Sequence, residues 1–258
     1  MNSSDYTKND VVFGIHPVAE ILSAGRRPVY KIFIKRGKTG NRINKIIDLA
    51  RSLDIPVEQK TGREITELAQ NPHHQDIAAS TGPYPLMRFK QMLDQAGGHD
   101  DELFFLIIDS VSDPQNLGAL VRSALCTGVS GIIIPKDRSA SPTAVVSRAS
   151  AGALEHANIC MVTNLANTMK DLKKNHFWIT GLDQQGSQPV YETDMTGRRA
   201  LVTGGEDTGI RPLIKRHCDF LCRIPQTGPI NSLNASVAGG IALYEAMRQR
   251  IQKTKKIT

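Results

Sequence analysis

The sequence predicts two α/β domains, a small one over residues 1–83 and a larger one over 103–258, joined by a linker at 84–102. Three observations carry this. Strand-like and helix-like apolar patterns alternate through residues 11–80 and again from Leu103 onward, which predicts sheets covered by helices. The stretch from Gly82-Pro83-Tyr84-Pro85 to the polar Gly97-Gly98-His99-Asp100-Asp101 interrupts that rhythm, as turn-forming residues do. Leu103–Ile108 is apolar without alternation, closing on Asp109, which suits a central strand buried on both faces of a parallel sheet.

Residues 1–10 are polar and expected to be disordered. Val11–Gly14 leads into a short helix, with Pro17 near its start and Gly25 beyond its end. Val29–Lys35 reads as a strand. Asn41–Leu53 is an amphipathic helix, with Ile43, Ile46, Ile47 and Ala50 on one face. A strand at 55–58, a helix at 63–69 and a strand at 76–80 complete the small domain. Within the linker, Phe89, Met92 and Leu93 form a short amphipathic segment.

In the larger domain, Asp113-Pro114-Gln115-Asn116 is a turn before a helix with Leu117, Leu120, Val121, Ala124 and Leu125 at helical spacing, closed by Gly128. A strand follows at 131–135, and Ser141-Pro142 is expected to cap the next helix. Strands at 157–162 and 177–182 flank a helix at 164–174. After a looser stretch, Leu201–Thr203 runs into Gly204-Gly205-Glu206, and a short strand ends at Ile224-Pro225. A polar loop, 226–231, then delivers Ser232-Leu233-Asn234 to the start of a small-residue helix. Two strand ends and a helix start converging within about 30 residues is the layout of a ligand crevice.

Composition narrows the function. With 40% hydrophobic and 22% charged residues the chain reads as an ordinary globular protein, and its net charge of +7 suits a polyanionic partner. Residues 26–45 carry Arg26, Arg27, Lys31, Lys35, Arg36, Lys38, Arg42 and Lys45 with no acid between them. The end carries Arg248, Arg250, Lys253, Lys255 and Lys256. A solvated face and a disordered tail account for such runs, but the clustering also favours phosphate contacts. Cys126, Cys160, Cys218 and Cys222 lack metal-site spacing and read as reduced core residues, so no metal is expected. Neither a signal peptide nor a membrane-length apolar run is evident, so a cytoplasmic protein is expected.

Three motifs carry chemistry. Asn116 and Arg122 lie six apart in 109-DSVSDPQNLGALVRSALCTG-128, where a helix cap and a surface arginine are the plain reading. Gly204-Gly205-Glu206 follows a strand, but no GxGxxG is present, and adjacent acids would repel a pyrophosphate on backbone amides. Ser232 and Asn234 suit a helix N-terminus. Together, Asp-Pro-x-Asn-x-Gly with its arginine, the Gly-Gly-Glu turn and Ser-Leu-Asn-x-Ser-Val-Ala at 232–238 resemble the motifs of the SpoU (TrmH-like) RNA ribose 2′-O-methyltransferases. The small-residue run at 149–155 resembles that family's middle segment and would let two helices approach closely. Gly14-Ile15-His16 and His74-Gln75 resemble the N-terminal substrate-binding domain of its large-subunit rRNA branch. Asp207 and Asp76 stand where that family commonly has glycine.

The resemblance implies a trefoil-knotted catalytic domain, a homodimer and S-adenosylmethionine as cofactor, whose sulfonium fits a site carrying a carboxylate. It implies backbone contacts to the cofactor from Gly204, Ile224 and Leu233. Asn116, Arg122, Glu206, Ser232 and Asn234 would be the catalytic set. Arg122 would anchor the phosphate beside the target ribose, since an arginine that stays protonated is a poor base. The implied substrate is a guanosine of 23S rRNA, in the hairpin loop that receives the end of peptidyl-tRNA. A tRNA-directed enzyme of the same family, a catalytically silent rRNA-binding assembly factor and a dinucleotide-dependent oxidoreductase are the alternatives.

Overall fold

The structure, a computed structural model, describes residues 10–95, 103–206, 208–229 and 232–255. The expected disordered start at 1–9, Asp207, Asn231, Lys256 and the second half of the expected linker lie outside them. The chain divides into two compact units, Met1–Pro85 with Pro142–His156, and Leu86–Ser141 with Ala157–Thr258.

The first unit holds β1 (Asp10–Phe13), α1 (Ile15–Ala24), β2 (Val29–Lys35), α2 (Asn41–Ser52), β3 (Val57–Lys60), α3 (Gly62–Ala69) and β4 (Ile77–Thr81). Its sheet runs β1-β4-β2-β3, antiparallel except for the β2–β3 pair. Gly25 closes α1 in the left-handed region, as its lack of a side chain allows. Thr61 and Glu64 form a reciprocal capping box that starts α3. Ile43, Ile46 and Ala50 of α2 are buried against Val18, Ile21 and Ile34. The strands expected at 55–58 and 76–80 begin two residues and one residue later, at Val57 and Ile77.

The second unit holds α4 (Phe89–Gln95), β5 (Phe104–Asp109), α5 (Pro114–Cys126) and β6 (Gly131–Pro135). After α6 (Ala144–Ala149) and a 3-10 turn (Ala153–His156), which group with the first unit, it continues with β7 (Ile159–Val162), α7 (Leu165–Lys174), β8 (Trp178–Leu182) and β9 (Gln188–Pro189). It ends with β10 (Arg199–Gly204), α8 (Pro212–Lys215), β11 (Phe220–Arg223) and α9 (Ala235–Lys255). Seven parallel strands run in the order β7-β6-β5-β10-β8-β11-β9. The parallel sheet is the expected one. β5 is buried at every position, as its unbroken apolar run requires.

Three local expectations are corrected. The stretch 84–102 is not spacer throughout: α4 buries Met92 among Phe105, Leu172 and Phe177. The helix expected after Ser141-Pro142 starts after Thr143, which supplies no side-chain cap. Segment 142–156 falls in the first unit because Glu155 forms a buried, two-pronged ion pair with Arg27, at 3.0 Å to Nε and 2.9 Å to Nη2, and accepts Ser147 Oγ at 2.6 Å. A close approach is present there, but of the turn at Gly152 to α1 rather than of two helices. A Cβ on Gly152 would stand 2.5 Å from Glu20 Cγ of α1.

Candidate functional site

The carboxyl ends of β5, β10, β8 and β11 meet where successive strands leave the sheet in different directions, the usual place for a ligand in an open parallel sheet. Gly204 at the end of β10 pairs with Asp109 at the end of β5, and Leu182 of β8 with Cys222 of β11. A cavity of about 320 Å³ opens at this edge, within the size range of small-molecule sites. Leu182, Ile224, Leu233, Ala235 and Ala238 give it apolar surface. Gln185, Gln226, Ser232, Glu206 and the Asp183–Lys215 ion pair give it polar and charged groups.

Both glycines of the turn after β10 are required by close approach. A Cβ on Gly204 would lie 2.0 Å from the carbonyl carbon of Gly209, and one on Gly205 would lie 2.4 Å from the Ser110 oxygen. Gly209 itself has φ of 60° and bridges back to Gly205. The folded-back loop holds Glu206 at the mouth of the cavity.

Asn116 and Asn234 meet that carboxylate from two helix starts. Asp113 caps α5 through the amides of Gln115 and Asn116, with Pro114 in the first turn. Asn116, on the same first turn, donates from Nδ2 to Glu206 Oε1 at 2.8 Å. Asn234 accepts the amides of Ser236 and Val237 on Oδ1, which caps α9, and donates from Nδ2 to Asn116 Oδ1 at 3.1 Å and to Glu206 Oε1. Helix α9 reaches this position because Gly239 lets it lie against Leu120 of α5, where a Cβ would stand 2.4 Å from Leu120 Cδ2.

The sequence-predicted residues therefore divide. Gly204, Ile224 and Leu233 line the cavity with Glu206 and Ser232, and Asn116 and Asn234 bond to Glu206. Arg122, almost two turns along α5, is exposed, lies outside the cavity lining, and makes no hydrogen bond or ion pair among the described residues. Asp207 lies outside the described residues.

Sequence reasoning missed two ion pairs here. Asp109 is fully buried and accepts the Arg211 backbone amide at 2.9 Å and Nε at 2.8 Å. Asp183, just past β8, pairs with Lys215 of α8, a helix the periodicity did not reveal. An acid placed where an apolar strand run stops was the available signal for Asp109. Burial pushes the thiols of Cys218 and Cys222 up to about 12 and about 11, so neither is a thiolate at neutral pH. Cys126 is exposed, against the expectation of a core residue. Among the described residues no group of His, Cys, Asp and Glu is arranged to hold a metal, and no helix is long and apolar enough to cross a membrane.

Residues 103–244 match the SpoU rRNA Methylase family, and residues 11–87 match the RNA 2'-O ribose methyltransferase substrate binding family. The chain belongs to the SpoU rRNA methylase family. Its SpoU relatives include the 23S rRNA (guanosine-2'-O-)-methyltransferase RlmB of Acinetobacter baylyi, 38% identical over 95% of this chain and 99% of the relative. The RlmB of Escherichia coli is 38% identical over 94% and 99%. Among solved structures, the SpoU methyltransferase AviRb from Streptomyces viridochromogenes, in complex with the cofactor AdoMet, superposes with a TM-score of 0.77 over 97% of this chain and 95% of that one, at 24% identity. That likeness shows the α/β fold of SpoU methyltransferases.

Proposed function

We propose that this protein transfers the methyl group of S-adenosylmethionine to the ribose 2′-oxygen of a guanosine in 23S rRNA. The observation that carries this reading is the reach of the RlmB match. It covers about 95% of the chain, substrate-binding segment included, rather than the methylase segment alone.

The cavity suits the cofactor. Leu182, Ile224, Leu233, Ala235 and Ala238 offer apolar surface for a flat base, and Gly204, Ile224 and Leu233 offer backbone groups at the strand ends. The carboxylates of Glu206 and Asp183 suit a ligand that carries positive charge. S-adenosylmethionine supplies a methyl already activated on a sulfonium, so the protein's work is alignment and removal of the hydroxyl proton.

In this reading Asn116 and Asn234 fix the Glu206 carboxylate by hydrogen bonds, and Ser232 adds a hydroxyl at the cavity wall. Arg122, uncommitted and solvent-facing, holds the phosphate beside the target ribose through charge-assisted hydrogen bonds. The reading includes a trefoil knot formed by the C-terminal segment, a cytoplasmic homodimer whose active site is completed across the interface, and a target in the peptidyl-tRNA-binding loop. The first compact unit serves as substrate domain, and the second, with α4 packed on its core, as catalytic domain.

The test is methylation of purified undermodified 23S rRNA against a tRNA transcript, with S-adenosylmethionine binding measured in parallel by calorimetry. Transfer to a guanosine 2′-oxygen of the rRNA is expected. A better acceptor in tRNA would overturn the target, and no cofactor binding would overturn the chemistry.

A further inference from the structure

The first unit carries a second cavity, remote in sequence from the catalytic motifs. It is a groove of about 250 Å³ between α1 and α2, floored by Ile15, Ala19, Ile46 and Leu49 and edged by His16, Arg42 and Lys45. The helical period produces it. Residues 42, 45, 46 and 49 fall on one face of α2, and 15, 16 and 19 on one face of α1. Ile46 is buried, the other three floor residues are half-buried, and the three edge residues are exposed.

The charge around the groove is selective. The acid-free stretch of the sequence is not acid-free in space. Arg27 is paired with Glu155, Lys31 with Glu58, and Lys35 and Lys38 with Asp76. Arg42 and Lys45 have no carboxylate partner among the described residues, and the carboxylates of their neighbourhood in sequence are engaged elsewhere, Asp48 with Arg51 and Glu20 with His156. The Arg42 guanidinium stands 3.5 Å from His16 Nε2, so a planar cation and an imidazole ring lie side by side over an apolar floor.

We propose that this groove holds one unpaired nucleotide of the RNA substrate. The base lies on the apolar floor against His16 and the Arg42 plane, and the flanking phosphates lie on Lys45 and Arg42. Imidazole and guanidinium faces are stacking surfaces for splayed-out bases, and a cationic groove that offers such surfaces recognises single strands without demanding a sequence. A duplex, whose bases are stacked inward, presents only its phosphates here. An acidic peptide would satisfy the cations but leave the floor uncovered. The inference rests on the RNA reading of the preceding section and adds which part of the RNA this unit holds.

The experiment uses the full chain and two RNAs of equal length, a 23S rRNA hairpin with 2-aminopurine at single loop positions and a perfect duplex. Wild-type protein should change the fluorescence of at least one loop position. Ala19→Leu, which fills the groove with a good helix former, should weaken hairpin binding about tenfold, the scale of one lost base stack, and leave duplex binding unchanged. Arg42→Gln with Lys45→Gln should flatten the salt dependence of hairpin binding by about 1.4 in log–log slope. S-adenosylmethionine binding, measured alongside, should not move for either variant, and unchanged melting curves would show the fold intact.

Equal effects of Ala19→Leu on hairpin and duplex, or none on either, would overturn the nucleotide site while rRNA methylation by the wild type left the broader reading standing. Polyglutamate displacing the hairpin as well as single-stranded RNA of equal charge would also overturn it. If the wild type neither binds nor methylates the hairpin, the RNA reading itself fails.

Discussion

Asp109 and Arg211, 102 residues apart, form a clamp beneath the loop that carries Glu206. The buried carboxylate at the end of β5 holds the backbone amide and the guanidinium of the residue that closes the Gly204–Ile210 turn. The clamp fixes where the loop carrying Glu206 returns to the sheet. Arg211→Ala leaves a buried carboxylate without its cation. Because Arg211 is about one-third exposed, the expected cost falls to or just below the ~3 kcal/mol lower bound for a broken buried pair, about 2–3 kcal/mol. Denaturant unfolding measures it, and cofactor affinity should fall with it. Stability within 0.5 kcal/mol of wild type, about the surface-substitution range, would show that the clamp does not hold the loop.

Asn234 has two separable tasks. Its Oδ1 caps α9, and its Nδ2 donates to the Glu206 carboxylate. Asn234→Asp keeps the capping oxygen but sets one carboxylate against another. The fold should survive, while cofactor binding and methyl transfer fall at least about tenfold at neutral pH. Two carboxylates sharing a site raise one pKa. Below that raised value one of them is protonated and donates to the other, so binding should recover as pH falls. A variant that melts early, or shows no recovery in acid, would place Asn234 outside the carboxylate's support.

Arg122 makes no hydrogen bond or ion pair among the described residues and is exposed on α5. Arg122→Ala should leave melting and cofactor binding near wild type while methyl transfer falls some tens- to a thousandfold, about 2–4 kcal/mol for a lost phosphate contact in a shielded site. Mixing this variant with an inactive Glu206→Ala chain should restore part of the activity if two subunits complete one site. Activity within about threefold of wild type, under 1 kcal/mol, would remove Arg122 from the mechanism.

Local signals were legible in the sequence and distant pairings were not. The turn read at Asp113–Asn116 located α5 to within about three residues, since the helix already starts at Pro114, and the apolar run Leu103–Ile108 declared the burial of β5, because turn and period act over a few residues. The glycines at 204 and 205 marked a special turn, although the contacts that exclude a side chain, with Gly209 and Ser110, show only in three dimensions. Arg27–Glu155 and Asp109–Arg211 join residues more than 100 apart and leave no periodic trace. For the same reason the basic run at 26–45 looked uniform, and segment 142–156 read as part of the larger domain. Likewise Arg250 of the basic end bonds the Gly197 carbonyl and lies over Phe104, which charge counting could not reveal.

Asp76 accounts for one departure from the family pattern. Its φ of 66° is the left-handed backbone that glycine adopts freely, and its side chain pairs with Lys38 at 2.8 Å and Lys35 at 3.5 Å. The Lys38 hydrogen bond, against a smaller opposing effect of burial, holds its carboxyl below the ordinary 3.8. A depressed carboxylate pKa contributes stability that is present above pH 3.8 and lost as pH falls through the folded value. Asp76→Gly should remove this acid-linked component while relieving the backbone, leaving neutral-pH stability within about 1 kcal/mol of wild type. Unfolding curves collected from pH 7 down to acid would reveal it. An unchanged acid limb would mean that the two lysines contribute nothing through Asp76.

Where the N-terminal segment is cut decides whether its role can be measured. Deleting residues 1–100 removes Met92, which is 2% exposed and packs among Phe105, Leu172 and Phe177, together with Phe89 and Leu93 against the same cluster. Gly131 leaves the space that Met92 fills, since a Cβ there would lie 2.6 Å from its Sδ. Losing one such side chain costs about 2–5 kcal/mol, so this deletion damages the second unit along with removing most of the first. A cut after Pro85 keeps α4. It leaves Glu155 without Arg27, and Arg27 made both of that carboxylate's guanidinium bonds. Glu155→Gln in the shortened chain therefore avoids a stranded buried charge. The chain starting at Leu86 with Glu155→Gln should melt above the chain starting at Asp101. It should bind S-adenosylmethionine within about twofold of the full protein, because the cavity lining lies wholly in the second unit, and lose most rRNA methylation. If both truncations melt alike, α4 is not part of the catalytic core. If the longer one methylates rRNA as well as the full chain, the first unit is not the substrate domain.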